Sequence, residues 1–493
     1  MNSQTALHFD LQAAARETMH EHGFQPDFSP QALEQVQAIQ NGAGPQATGG
    51  NVRDLRSLLW SSIDNDTSRD LDQIEYAERL PNGDIRVQIA IADVDALVAK
   101  GSPLDQHASR ETTSVYAGVV IFPMLPEVLS TNLTSLLEAE DRLAFVTEFT
   151  VNAGGHVGGS ALYPAIVHNR AQLAYNAVGA WLEGSAEAPA KVAASSELQA
   201  QLKLQSEAAQ RLREERYRHG ALNIETIETH PVFLKDKIVG IERQQKNLAT
   251  ELIEDFMIAA NEVVARSIAA AQWGSIRRIV KTPKRWERIV ELAAQLGEHL
   301  PAIADSQALN QFLIKRRAAD PDHFPDLSLA VIKLLGPGEY VVELPGQQSD
   351  GHFGLAVQDY THSTAPNRRF ADLTTQHLLK ALVAGSTSPY SSDELTQIAA
   401  NCTLREDQSR RVEREMQKRI AAVAMHGRIG EFFDAIVTGV NENGTFVRAL
   451  NPHMEGMLVE GHAGVDVGDR IKVKLVNTDP RRGFIDFVRV SAS

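Results

Sequence analysis

Alternating apolar and polar residues predict strands in the first third of the chain. The alternation over residues 85–91 follows a Pro-Asn-Gly-Asp turn and is typical of a hairpin strand, and residues 145–151 predict a second strand. Helical spacing of apolar residues occurs later, over residues 251–271, 283–296, 369–383 and 392–429. The mixture of the two periods predicts a large α+β body between residues 51 and 430.

The pattern changes after residue 430. Short alternating segments are separated there by Asn-Gly, Gly-Asp and Arg-Arg-Gly turns, which are typical of hairpins. The predicted strands are residues 435–440, 445–449, 455–459, 470–477 and 484–488. Five short strands in about 60 residues indicate a small β-barrel of the OB type over residues 431–493.

Residues 1–50 predict a small helical module and a linker. Apolar residues recur there with helical spacing, at Leu7, Leu11, Ala14, Ala15, Leu33, Val36 and Ile39. Glycines and Pro45 follow, and they end the helical pattern. The module is either a helix-turn-helix or an ordinary capping bundle, and the pattern alone leaves both open.

Composition is that of a globular protein with more than one domain. The chain has 493 residues, 43% of them hydrophobic and 23% charged, which excludes a disordered or collagen-like chain. Its single cysteine, Cys402, excludes an internal disulfide and a zinc site built on several thiolates. The start of the sequence has no signal-peptide pattern, and no apolar stretch is long enough to span a membrane. We therefore expect a cytoplasmic protein.

Net charge limits how a polyanion could bind. The chain has 48 Lys and Arg against 63 Asp and Glu, a net charge of −15. Such a surface repels nucleic acid and anionic lipid over most of its area. Any polyanion must bind in a local basic channel.

A dense group of acidic residues is the first candidate site. Four aspartates occur within nine positions, at Asp64, Asp66, Asp70 and Asp72. Hard oxygen donors at this density are what Mg²⁺ or Mn²⁺ requires, and like charges so close repel unless a cation lies between them. The alternative is a solvated turn, because Asp, Asn and Ser are ordinary turn residues.

An arginine pair is the second candidate. Arg368 and Arg369 follow a Thr-Ala-Pro turn at the predicted start of a helix, where guanidinium and backbone N–H groups can bind a phosphate. The alternative is a helix start whose arginines are solvated or paired with Asp372.

Together these motifs resemble the catalytic domain of the ribonuclease II family. Further motifs similar to that family occur between them, in the family's order, at residues 89–94, 101–105, 122–126, 129–130 and 253–261. The resemblance extends from about residue 54 to residue 430. The segment from Glu431 is similar to an S1 domain, an OB-type RNA-binding module that accompanies this catalytic domain.

The resemblance implies a processive 3′-to-5′ exoribonuclease that hydrolyses single-stranded RNA to nucleoside 5′-monophosphates. It implies Mg²⁺ or Mn²⁺ as cofactor, in one or two ions, with Asp64 and Asp70 as ligands and Asp72 as the aspartate most critical for cleavage. Arg368 is expected to bind the scissile or adjacent phosphate. The expected partner is single-stranded RNA, without DNA or membrane, and a monomer is expected.

RNA contacts are implied for further residues. Tyr175 is similar to a tyrosine that stacks on a base near the catalytic end, and Glu254 to a glutamate that positions the terminal nucleotide. Arg369 is assigned to RNA together with Arg368. Phe446 in the S1 segment, with Phe432, Phe433 and Arg448, is a candidate stacking face.

The sequence departs from the family at several positions. Gln73 occupies the place of a fourth motif aspartate, so it offers the metal a carbonyl oxygen without charge, unless Asp66 takes over that ligand position. Ile224 occupies the place of a stacking phenylalanine. The first 50 residues are too few for the two cold-shock domains of typical members, the S1 segment is not basic, and a Lys-rich extension is absent.

Three classes of function remain open. A catalytically weakened RNA-binding relative would explain Gln73, and a metabolic enzyme with a generic OB tail would explain the acidity. We favour the nuclease, because a pure binder gains nothing from clustered acids beside a polyanion.

Overall fold

The computed structural model describes residues 9–42, 52–225, 228–234, 237–244, 246–321, 323–442 and 444–490. Its α-helices are α1 (Leu11–Glu21), α2 (Pro30–Gln40), α3 (Pro103–Glu111), α4 (Tyr175–Leu182), α5 (Ala190–Ala193), α6 (Ser196–Arg218), α7 (Leu248–Ala270), α8 (Trp286–Gln295), α9 (Ser306–Ala319), α10 (Phe324–Leu335), α11 (Phe370–Val383) and α12 (Ser392–His426).

The strands follow the same chain order. They are β1 (Arg53–Asp54), β2 (Trp60–Asp64), β3 (Gln73–Arg79), β4 (Ile85–Ala92), β5 (Val115–Tyr116), β6 (Ile121–Phe122), β7 (Asp141–Val151), β8 (Val157–Ala174), β9 (Glu228–Leu234), β10 (Lys237–Gln244), β11 (Ser275–Ile279), β12 (Glu339–Glu343), β13 (Phe432–Asn441), β14 (Gly444–Leu450), β15 (His453–Glu460), β16 (Arg470–Asp479) and β17 (Phe484–Arg489).

A six-stranded mixed sheet forms the centre of the α+β body. Its order is β1-β8-β2-β3-β4-β7, and the long strand β8 also pairs with β7. Asp64 at the end of β2 pairs with Ala174 at the end of β8, and Gln73 at the start of β3 pairs with Ile91 near the end of β4. These registers bring the ends of four strands to one end of the sheet.

Each face of the sheet buries a separate hydrophobic cluster. Ile74 and Ala90 pack on one face with Phe370 of α11, whereas Ala77 and Ile89 pack on the other face with residues of α6 and α7. Successive strand residues point to opposite faces, and this alternation explains the division. The prediction of an α+β fold is confirmed.

The first two helices, α1 and α2, pack on the α+β body at different places. α1 lies against α12, where Met19 joins a cluster with Val412 and Met416, while α2 lies against α3 and contributes Val36 to the main core. Each helix is thus attached by its own apolar face. This packing favours the capping alternative over a helix-turn-helix.

The C-terminal strands form the expected barrel. The closed order is β13-β14-β15-β17-β16, and Phe433 and Phe487 meet edge to face inside it. Phe433 is therefore a core residue and not part of an exposed stacking face. Arg448 was also expected in the stacking face, but its guanidinium forms an ion pair with Asp326 of the α+β body.

Helix boundaries differ from the predictions by a few residues. α7 begins three residues before the predicted position because Asn247 caps its N-terminus. The Asn247 side chain accepts hydrogen bonds from the backbone N–H groups of Ala249 and Thr250. α12 ends at His426, three residues early, with Gly427 at its C-cap. Among the helices of the described ranges, none is long and apolar enough to cross a membrane.

Candidate active site

The loop between β2 and β3 carries the aspartates. Asp64 closes β2, and its Oδ1 accepts hydrogen bonds from Ser68 Oγ at 2.8 Å and from the backbone N–H of Asn65 at 2.7 Å. Asp66 is exposed in this loop, whereas Asp70 is half-buried. Asp64 and Asp70 are thus partly shielded from solvent, whereas Asp66 is not.

Leu71 fixes the second half of the loop. Its side chain is buried in the main core, its N–H donates to Ser135 Oγ at 2.9 Å, and its carbonyl accepts from the N–H of Leu136 at 2.9 Å. The carbonyl of Asp72 then accepts from the N–H of Ala92 at 2.9 Å. Because the backbone is tied on both sides, the Asp72 side chain has a defined position.

Asp72 meets the arginine motif directly. Asn367 Nδ2 donates to Asp72 Oδ1 at 2.8 Å, and Arg368 Nε lies 3.5 Å from Asp72 Oδ2. The Asp72 carboxyl group is buried, whereas the Arg368 side chain is 44% exposed. Asn367 is itself held by Thr134 Oγ1, which donates to its Oδ1 at 2.6 Å. The two predicted motifs thus form one site, and Arg368 keeps N–H groups for a ligand.

Arg369 points into a different environment. Its Nε donates to Asp372 Oδ2 at 2.8 Å and its NH2 group to Asp372 Oδ1 at 2.7 Å, which is a two-pronged ion pair at the start of α11. Asp372 is buried and also accepts from the backbone N–H of Ala365. This geometry favours the ion-pair alternative for Arg369 over a contact with RNA.

The acids of the site interact electrostatically. Burial raises the pKa of Asp72 to about 7, Arg368 and the Asn367 hydrogen bond act to lower it, and Asp70 adds to the increase. Burial also raises the pKa of Asp64, with Asp70 adding to the increase and Arg368 opposing it. Asp70 and Arg368 therefore act electrostatically on both Asp64 and Asp72.

Two tyrosines border this group. Tyr175 starts α4 directly after β8, and burial raises the pKa of its phenol, with Asp64 adding to the increase. Partial burial raises the pKa of Tyr116 to about 12; Arg368 opposes this increase, and Asp70, Asp72 and Asp64 add to it. Tyr175 thus lies near Asp64 while also packing against the core beneath α6 and α7, and its contact with RNA remains a prediction. The sequence motifs did not single out Tyr116.

Strand β3 carries two further polar side chains. Gln73 is half-buried at its start, and Glu75 is fully buried two residues later on the same face. Burial raises the pKa of Glu75 well above its usual range, and Asp64 adds to the increase. Glu75 was not predicted as a site residue. The sequence signal that could have identified it is an acidic residue directly after Ile74 in a strand whose next residue on the same face is Ala77.

Three predicted RNA-binding residues lie in other surroundings. Glu254 on α7 accepts a hydrogen bond from Lys246 Nζ at 2.7 Å. Ile224 packs against the cluster formed by α8, α9 and α10. Phe446 lies on β14 of the barrel, opposite Met457. Their RNA contacts remain predictions.

The donor set of the site suits a hard divalent cation. The Asp70 carboxyl group raises the pKa of both Asp64 and Asp72, and carboxylate oxygens are the ligands that such a cation prefers. The buried carboxyl oxygens of Glu75 have no hydrogen-bond partner among the described residues. Within those residues, however, no three acidic, histidine or cysteine side chains already form a metal-binding cluster. The ligand set of Asp64, Asp70, Asp72 and Gln73 therefore remains a prediction.

Comparison with known families covers most of this body. Residues 52–385 match the RNB domain. The chain belongs to the RNB-domain family. Residues 431–490 match the RNase II-type exonuclease C-terminal S1 domain, so the resemblance seen in the motifs and in the C-terminal segment is confirmed. Nucleases with an RNB domain depend on divalent metal ions.

Relatives of this RNB protein are named ribonuclease R. The sequence is 31% identical over 506 residues to ribonuclease R of Escherichia coli, covering 95% of this chain and 61% of that protein. It is 31% identical over 472 residues to ribonuclease R of Thermotoga maritima, covering 89% of this chain and 65% of that protein. The chain thus spans about three fifths of the length of the curated relatives it matches.

A solved structure shares the fold of this RNB protein. Mycoplasma genitalium RNase R in complex with ribose-methylated single-stranded RNA superimposes with a TM-score of 0.85 at 22% identity. The match covers 98% of this chain and 78% of that one. It confirms the architecture of RNB body and C-terminal barrel.

Proposed function

We propose that this protein is a processive 3′-to-5′ exoribonuclease that hydrolyses single-stranded RNA to nucleoside 5′-monophosphates. The observation that carries the proposal is the buried Asp72 carboxyl group, held by Asn367 and facing Arg368 beside Asp64 and Asp70. The names of the relatives agree with it.

The reaction follows from the two oxygens of Asp72. Oδ1 accepts the Asn367 hydrogen bond, and Oδ2 lies 3.5 Å from Arg368 Nε, too far for a strong hydrogen bond, so Oδ2 is the oxygen that can accept a proton from water. Burial raises the pKa of this carboxyl to about 7 in the metal-free site, so it can accept a proton near neutral pH. Water attacks the phosphorus and its proton passes to Oδ2. The bond to the 3′ oxygen of the shortened chain breaks, that oxygen takes up a proton from solvent to become the 3′-hydroxyl, and the phosphate stays on the released nucleotide.

Arg368 binds the phosphate in this scheme. Its guanidinium is partly exposed and next to Asp72, so its free N–H groups can donate to the non-bridging oxygens as charge develops on them. Asp64, Asp70 and Asp72, with Gln73 as a neutral ligand, would hold one or two Mg²⁺ ions, which would neutralise charge and lower the pKa of the attacking water when bound.

Aromatic side chains hold the RNA without reading its sequence. In this proposal Tyr175, whose phenol is influenced electrostatically by Asp64 and Arg368, stacks on a base near the scissile bond. Phe446 of the barrel offers a second contact to longer chains. We further propose that the enzyme works as a monomer in the cytoplasm, on RNA and not on DNA.

A second candidate is favoured by Gln73. A neutral side chain at the start of β3 weakens the charge available to a cation, which would suit an RNA-binding relative with little or no cleavage.

One experiment separates the two candidates. The purified chain is incubated with a single-stranded RNA in Mg²⁺ or EDTA, in water enriched in ¹⁸O, beside Asp72→Asn. We expect Mg²⁺-dependent release of nucleoside 5′-monophosphates with ¹⁸O in the phosphate, and none from Asp72→Asn. RNA binding without release from the wild type would favour the binding relative and contradict the nuclease.

A further inference from the structure

A buried asparagine lies in the apolar middle of α7. Asn261 is 2% exposed, and the side chains of Val263 and Val264 beside it are buried in the two cores of the body. It is the last residue of the motif at residues 253–261, in which only Glu254 has an expected role. An amide in apolar surroundings costs free energy unless it is hydrogen-bonded. Its hydrogen-bond partners therefore indicate what it does.

The Asn261 amide binds the chain segment that leads to the arginine motif. Its Oδ1 accepts two hydrogen bonds from Ser363, one from the backbone N–H at 2.8 Å and one from Oγ at 2.8 Å. Its Nδ2 lies 3.5 Å from Tyr360 Oη. Because both donors of the buried Ser363 bind one oxygen, the backbone there is fixed relative to α7.

The turn that carries Arg368 begins two residues after Ser363. The carbonyl of Ala365 accepts a hydrogen bond from the N–H of Arg368 at 3.2 Å, which closes the turn. The N–H of Ala365 donates to Asp372 Oδ1 at 2.9 Å. Helix α11 therefore holds the turn from one side, and α7 holds the chain that enters it from the other side.

The backbone of this turn largely determines where the guanidinium of Arg368 lies. The Arg368 side chain is 44% exposed, and its Nε is 3.5 Å from Asp72 Oδ2, too far for a strong hydrogen bond. The side chain is thus only weakly held by its own contacts. A displacement of about 1 Å in a group that binds the reacting phosphate can slow a reaction about 100-fold.

We propose that Asn261 is a positioning residue for the cleavage reaction, which sets the place of Arg368 through Ser363. The inference rests on the phosphate-binding role proposed above for Arg368. Asn261 itself contacts neither RNA nor cation in this scheme. Its contribution is the single oxygen that orders the chain before the phosphate-binding turn.

The test is a double-mutant cycle between Asn261 and Arg368. Asn261→Ala removes the oxygen that Ser363 binds, whereas Asn261→Asp keeps an oxygen acceptor at that place. Both changes are made in the wild type and in Arg368→Ala. Single-turnover cleavage of a short RNA at saturating protein is measured beside the affinity for the same RNA in EDTA, which needs no cleavage.

Gln201→Ala is the matched control. It also removes an amide oxygen that accepts a backbone N–H, here that of Ala77 at 3.0 Å, but the bond joins α6 to β3 and does not lie at the turn. Thermal melts report the loss of stability in each variant. If Asn261→Ala is unfolded, Ser363→Ala takes its place in the cycle, because it removes only one of the two donors to Asn261.

We expect Asn261→Ala to cleave about 10- to 100-fold more slowly than the wild type, with Asn261→Asp and Gln201→Ala close to the wild-type rate. In the Arg368→Ala background the same change should lower the rate and the RNA affinity less than about twofold, because its effect passes through the guanidinium.

Equal losses of rate and affinity in the two backgrounds would overturn the proposal and make Asn261 a purely structural residue. A folded Asn261→Asp that is as slow as Asn261→Ala would also contradict it. A wild type that binds the RNA without cleaving it would contradict the nuclease function alone, and the affinities in EDTA would still decide the role of Asn261.

Discussion

Asn367 gives the sharpest test of how the site sets the charge of Asp72. Its Nδ2 donates to Asp72 Oδ1 at 2.8 Å, and the residue is buried. Replacing Asn367 by Ala removes a buried hydrogen bond to a charged acceptor, a type of bond that contributes about 1.5–3 kcal/mol. At about 1.36 kcal/mol per pKa unit, the loss raises the pKa of Asp72 by about one to two units.

In the site without a bound cation, the pKa of Asp72 is about 7, so roughly half of the carboxyl groups are ionised at neutral pH. An increase of about one to two units reduces the ionised fraction about 5- to 50-fold at pH 7. We therefore expect Asn367→Ala to cleave RNA that much more slowly at pH 7. Its rate should recover towards the wild-type rate at pH 9.

The assay is single-turnover cleavage of a short RNA between pH 6 and 9 at sub-saturating Mg²⁺. Thr134→Val is the control, because it removes the bond that holds Asn367 from the other side and leaves the donor to Asp72 in place. The control should lose stability without moving the pH profile. A uniform loss of rate at every pH in Asn367→Ala would refute the electrostatic role of this residue.

Three further predictions concern other parts of the molecule. Tyr175→Ala, which loses about 1–3 kcal/mol of base stacking, should leave longer limit products on a denaturing gel than Tyr175→Phe does, and identical ladders would count against stacking. Removal of residues 431–493 should weaken the binding of long RNA and spare hydrolysis of short oligonucleotides, as filter binding and rate measurements would show; equal affinity for long RNA would argue against a barrel contact. Burial lowers the pKa of His107 from 6.5 to about 4, so the unfolded chain takes up this proton at a higher pH than the folded protein does. The free energy of unfolding should therefore fall by about 3 kcal/mol as the pH is lowered from 6.5 to 4. Urea unfolding at a series of pH values should show this slope reduced in His107→Gln, and an unchanged slope would be inconsistent with the buried neutral ring.

The elements of the fold were predictable where their pattern was local. The alternation at residues 85–91 became β4, and the helical spacing after residue 369 became α11, because both periods follow directly from backbone geometry. The placement of α1 on α12 was not predictable, since it depends on apolar contacts such as Met19 with Met416 between residues nearly 400 positions apart.

The candidate site also contains residues that could be predicted from local sequence and residues that could not. Asp64, Asp70 and Asp72 are close in sequence, so their density alone indicated a common site. Asn367 could not be recognised, because its role depends on a hydrogen bond to a residue 295 positions away. Arg368 and Arg369 are adjacent in sequence, yet Arg368 faces Asp72 and Arg369 pairs with Asp372. The backbone conformation before α11 determines the direction of each side chain, and the sequence pattern does not show it.

The most direct measurement follows both ends of one RNA at once. A single-stranded oligonucleotide that carries different labels at its 5′ and 3′ ends is incubated with the protein and Mg²⁺, beside Asp72→Asn. The account predicts that the 3′ label appears at once as a mononucleotide while the 5′ label stays on shortening chains, and that the variant releases neither. Release of the 5′ label first, internal fragments that carry either label, or equal release by Asp72→Asn would contradict it.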